Sequence, residues 1–147
     1  MASEYAVQKV SPAVDPGIVQ FFESFYAISD DLSDIEGYVN SFTHDAVFII
    51  GGAEPTRGAD GIRKWREYEP TYVKYCKHIP HKIFSLKSGS TEVMLHGHVV
   101  IGHLNLRESI GNFAVRAILK QSHDNKWQME YYEVFMDVSA LAKAGVL

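Results

Sequence analysis

The hydrophobic period of this chain changes once, near residue 77, and that change limits the fold more than any motif does. Before it, apolar residues recur at helical spacing, with Ile18, Phe21, Phe22, Phe25, Ile28 and Leu32 forming one stripe. After it they alternate. In the run from Glu92 to Leu104, the residues Val93, Leu95, Gly97, Val99, Ile101 and His103 share one face. Helices first and long half-buried strands afterwards place the chain in the α+β class.

Local signals divide it further. Asp15 followed by Pro16 is a helix start, and Ser33-Asp34-Ile35-Glu36 is a capping-box pattern opening a second short helix. Asp45 to Ile50 is a strand ended by Gly51-Gly52, and Gly58 to Tyr68 is a third helix stopping before Pro70. Strands are expected at 77–87, 91–106, 112–121 and 126–136, with turns at Gly89, Gly111 and Ser122-His123-Asp124-Asn125. Residues 1–13 are expected to be a loosely ordered, flexible arm and 14–137 the folded domain. Residues 138–147 form an apolar tail that serves as a lid or a dimer contact.

Composition removes several functions. Net charge is −4 and no basic stripe is interleaved with aromatics, so there is no electrostatic case for nucleic acid. No stretch of about 18 apolar residues offers a membrane span, and the start of the chain lacks a secretory pattern. An intracellular, cytoplasmic protein is expected. Cys76 is the only cysteine, read as an inert buried thiol. Aromatics reach 12%, enough for a pocket with bulky walls, although a packed core uses the same residues.

Two histidines stand out. His103 ends an apolar row, and His78 lies 25 residues before it. Each is either a structural histidine satisfied by a local partner or a proton-transfer group at a pocket wall. Tyr26, beside the first helical stripe, is an oxyanion donor or a core tyrosine. By plain alternation Glu133 shares a face with Trp127, Met129, Tyr131 and Phe135, where a carboxylate is either at a rim or desolvated into a general acid or base. Arg116 is a charge within an apolar strand, there to clamp an anion or to pair with an acid such as Glu133. Trp65, Tyr68 and Tyr72 line a pocket mouth or simply pack. Asp30 and Asp31 read as solvated or capping residues. His96-x-His98 with His103 suggests a metal site, but His96 and His98 face away from His103 and no acid follows, so no metal is expected.

The order of elements resembles the nuclear-transport-factor-2-like cone fold, and its SnoaL-like branch in particular. The cues are Phe25-Tyr26 with Ser29-Asp30-Asp31, Ser41-Phe42-Thr43-His44-Asp45-Ala46-Val47-Phe48, Thr56-Arg57-Gly58 leading to Ile62, and Trp127-Gln128-Met129-Glu130. The chain looks most like small fungal SnoaL-like proteins, many associated with secondary metabolism. The resemblance implies a cone-shaped α+β barrel, three N-terminal helices on a curved, mostly antiparallel sheet, and a homodimer. Scytalone dehydratase is a partial match: His78, His103 and Tyr26 fall where it keeps two histidines and a tyrosine. Ala27, Ile50, Ala114 and Arg116 replace other parts of its constellation, so scytalone dehydration itself is not expected.

The resemblance implies a cofactor-independent acid–base enzyme, an isomerase, cyclase or dehydratase acting on a hydrophobic polyketide- or terpenoid-like carbonyl compound. His78 would be the base, His103 its acid partner and Tyr26 the oxyanion donor. Glu133 and Arg116 would orient the substrate, with Phe22, Ile50, Trp65, Tyr72, Val99 and Phe135 around it. The other class is a non-catalytic module of the same fold that binds a small molecule or dimerises. A protein–protein adaptor with a filled cone is a third.

Overall fold

The computed structural model describes residues 3–137 and 139. Asp15 caps α1 (Pro16–Asp30), its carboxylate accepting the Gly17 N–H at 2.7 Å, and Pro16 occupies a first-turn position where a missing N–H costs nothing. α2 (Ile35–Val39) is capped by Asp34, which accepts the Gly37 N–H at 2.8 Å. The expected cap, Ser33, instead donates its hydroxyl to Asp31 at 2.6 Å. α3 (Gly58–Tyr68) runs into a 3₁₀ turn at Glu69–Thr71, where Pro70 ends the α-helical ladder.

The strands are β1 (Lys9–Val10), β2 (Phe42–Ile50), β3 (Thr56–Arg57), β4 (Val73–Phe84), β5 (Glu92–His103), β6 (Glu108–Gln121) and β7 (Trp127–Met136). They form one curved, open sheet in the order β1-β4-β5-β6-β7-β2-β3. The meander β4 to β7 is antiparallel, while β2 joins β7 and β1 joins β4 in parallel. The segment expected to be loose is tied down. Val7 is buried, and Ser11 donates its N–H to the Ile83 carbonyl at 3.0 Å. The tail at 138–147 lies, apart from Ser139, outside the described residues. Among the described residues no helix is long and apolar enough to cross a membrane.

The concave face packs on the helices through Phe25, Tyr38, Phe42, Phe48 and Tyr132, whose rings meet mostly edge to face or tilted. At Gly97 the sheet is so close that a Cβ would stand 2.5 Å from the Ile79 carbonyl oxygen. Two bulges re-aim side chains. In β4, Pro80 pairs with Gly97 and Lys82 with His96, leaving His81 as the extra residue. In β7, Met129 pairs with Leu119 and Tyr131 with Ile118, leaving Glu130 extra. Met129 and Tyr132 therefore both face the core, and the alternation read from sequence is out of phase from residue 131 onward.

Candidate active site

A cavity with a free volume of about 100 Å³ opens between the helices and the concave sheet face. That is room for several waters or a small organic group. Its walls are largely aromatic: Tyr38, Trp65, Tyr72, Phe113 and Tyr132. Ile50, Val99 and Ile101 add aliphatic surface, and Ser29, Glu69, Cys76 and His78 bring polar atoms.

His78 sits in β4 opposite Val99 of β5, on the concave face. Its Nδ1 meets Asp30 Oδ1 at 2.5 Å, and its backbone N–H donates to Asp30 Oδ2 at 2.9 Å. One carboxylate thus grips both the main chain and the ring of the same residue. The imidazole stacks on Tyr26, with centroids 5.0 Å apart, and meets the edge of Phe113 at 5.5 Å. Asp30 engages Nδ1, so Nε2 is the nitrogen left to act as a proton acceptor.

Asp30 ends α1, and Arg66 of α3 holds that end in place. The buried guanidinium donates to the carbonyls of Ile28, Ser29 and Asp31 at 3.0, 3.0 and 2.6 Å, and lies 4.4 Å over the Tyr38 ring. A helix leaves its last carbonyls unsatisfied, and a cation there also complements the dipole. Arg66 pairs in addition with Glu69 at 2.8 Å. Burial raises the Glu69 carboxyl pKa above its ordinary 4.5, against the pull of Arg66 and His78. Burial, then Glu69, pushes Tyr72 up to about 12. The Cys76 thiol is pushed up by burial and by Asp30 and Glu69, so it is held protonated and inert.

Of the residues expected from sequence, the cavity brings together His78, Trp65, Tyr72, Ile50 and Val99. Tyr26 stands behind the His78 ring. Among the described residues its buried hydroxyl has no hydrogen-bond partner, and burial lifts its pKa well above 10.0. His103 is buried at the far end of β5, outside the cavity lining, with Nε2 bonded to Ser109 Oγ at 2.9 Å. It does not line the cavity that His78 lines, and its Nδ1 is buried without a hydrogen-bond partner among the described residues. Phe22 is packed in the core.

Glu133, Phe135 and Arg116 lie on the outer face of the sheet. Glu133 accepts the Tyr131 hydroxyl at 2.7 Å, Phe135 is 48% exposed, and Arg116 reaches Glu92 at 3.3 Å over the Tyr131 ring. The bulge at Glu130 inverts the first two, and plain alternation with buried Val115 and Ala117 turns Arg116 outward. Tyr68 is exposed against Tyr72.

Sequence reasoning gave Asp30 little weight and did not single out Glu69 or Arg66. The available signal was that Asp30 follows Tyr26 by one helical turn, which puts both on one face of α1. Asp30, Cys76 and His78 hold their donor atoms within 4.8 Å of one another, the one such set among the described residues. The 2.5 Å contact inside that set is a hydrogen bond, and the protonated thiol is a poor ligand until a metal displaces its proton.

No family profile and no curated protein sequence matches the chain. Solved structures do. A candidate scytalone dehydratase from Novosphingobium aromaticivorans superposes with a TM-score of 0.72 at 14% identity, over 82% of each chain. An NTF2-like protein of unknown function from Burkholderia pseudomallei gives 0.72 at 12% identity, over 88% of this chain and 97% of that one. TerC, co-crystallised with polyporic acid, gives 0.69 at 19% identity, over 88% and 97%. The fold is thus that of NTF2-like proteins, the cone that the sequence resembles.

Proposed function

We propose that this NTF2-like chain is a cofactor-independent acid–base enzyme acting on a hydrophobic, ring-bearing carbonyl compound of polyketide or terpenoid type, by isomerisation, cyclisation or dehydration. The observation that carries the proposal is the Asp30–His78 pair at the wall of an aromatic cavity. Asp30 fixes the ring and supports the imidazolium that forms when Nε2 removes a proton next to the carbonyl. Glu69, whose neutral form is favoured by burial, returns a proton to the developing enolate oxygen or to a leaving hydroxyl. The aromatic walls exclude water and select flat substrates by shape. The co-crystallisation of TerC with polyporic acid supports a small-molecule ligand in this fold.

The test is deuterium uptake at the α-carbon of a panel of cyclic and aromatic ketones in D₂O. Uptake by the wild type and its loss in His78→Gln support the enzyme. Binding without uptake gives the alternative, a small-molecule-binding module; uptake that survives His78→Gln assigns the base elsewhere. A cytoplasmic homodimer belongs to the same proposal through the family resemblance, and sedimentation velocity checks the pairing.

A further inference from the structure

Three imidazoles meet on the outer face of the sheet, away from the cavity. His96 and His98 are alternate residues of β5 and so project to one side. The β4 bulge makes His81 the extra residue between Pro80 and Lys82 and sets it against both. His81 Nε2 lies 2.6 Å from His98 Nδ1, and the His81 ring centroid is 4.8 Å from that of His98 and 5.4 Å from that of His96. All three side chains are half-buried.

We propose that His81, His96 and His98 form a binding site for a divalent transition ion of the zinc class, separate from the catalytic cavity. Neutral imidazoles bind zinc at about 2.0–2.1 Å, which in a tetrahedral site sets ring centroids roughly 5.2 Å apart. The observed 4.8 and 5.4 Å bracket that separation. The two nitrogens now at 2.6 Å share a proton, and an ion entering between them replaces it, opening the contact to about 3.3 Å. His96 completes the set by turning its ring, since its nitrogens do not yet converge with the other two. Water takes the fourth position. A bulge is a device for re-aiming a side chain, and here it brings the third ligand into reach.

The experiment is titration of the untagged full chain with Zn²⁺ by calorimetry, and with Co²⁺ by visible absorption. The expected result is one ion per chain, with tetrahedral cobalt bands and no thiolate charge-transfer band in the near ultraviolet. His81→Gln and His98→Gln should each weaken binding by about 10-fold or more, while His78→Gln and Cys76→Ser leave it unchanged. The proposal is overturned if the wild type binds no more tightly than the His81→Gln/His98→Gln double variant. It is also overturned if His78→Gln or Cys76→Ser abolishes binding, which would place the ion on Asp30, Cys76 and His78. Deuterium uptake by His98→Gln stays at the wild-type rate, so this site and the cavity fail or succeed separately.

Discussion

Asp30→Asn keeps the shape of the carboxylate and removes its charge. The imidazolium at His78 then loses its support, and the ring is free to take the other tautomer. We expect α-deuteration to fall by about 100-fold or more, with the unfolding midpoint changing far less. A single-wavelength denaturation series beside the exchange assay separates the two effects. Glu69 gives a pH signature. Its carboxyl pKa is raised in the folded state, so the stability it contributes is present below 4.5 and is lost as pH climbs through the raised value. Wild type should therefore lose stability relative to Glu69→Gln as pH rises from 4.5 toward neutrality. Urea midpoints measured in parallel at several pH values check this, and a constant difference would count against a buried neutral carboxyl.

At the scale of elements, Arg66 ties α3 to the end of α1. Arg66→Met leaves three carbonyls of α1 without donors and Glu69 without its cation. Leaving these acceptors at the end of α1 unsatisfied should cost about 3 kcal/mol or more, readable in chemical denaturation. Gly97→Ala and Gly102→Ala separate rigid from yielding neighbours. The first forces a methyl against the Ile79 backbone at 2.5 Å and should cost about 1–3 kcal/mol. The second meets only the Tyr75 ring, which is 44% exposed and can swing aside, so its cost should be smaller. Helices and strands were legible in the sequence because their periods are strong, as the Asp15 cap and the row Val93 to His103 illustrate. Face assignment in β7 was not legible, because one extra residue at Glu130 leaves no mark in composition yet inverts everything after it. The cavity half was readable from β4 and β5 at His78 and Val99. The helical half was hidden, since Asp30, Arg66 and Glu69 look like ordinary surface charges until α1, α3 and the turn after it are packed together.

For the molecule as a whole, the open sheet has two rims, and each is finished by a strand of two residues. The long strand β4 is covered by β1 only at Lys82 and Ile83. Farther along, Pro80 has no N–H to offer, and the His78 N–H is taken by Asp30. The carboxylate that aims the imidazole therefore also keeps strangers from adding to the sheet. Asn at position 30 can still accept that N–H, whereas Ala cannot. Asp30→Ala should gain a tendency to self-associate that Asp30→Asn lacks, visible as concentration-dependent light scattering. Asp30→Ala thus uncovers the β4 edge and frees the His78 ring in one step, whereas Asp30→Asn leaves the edge covered.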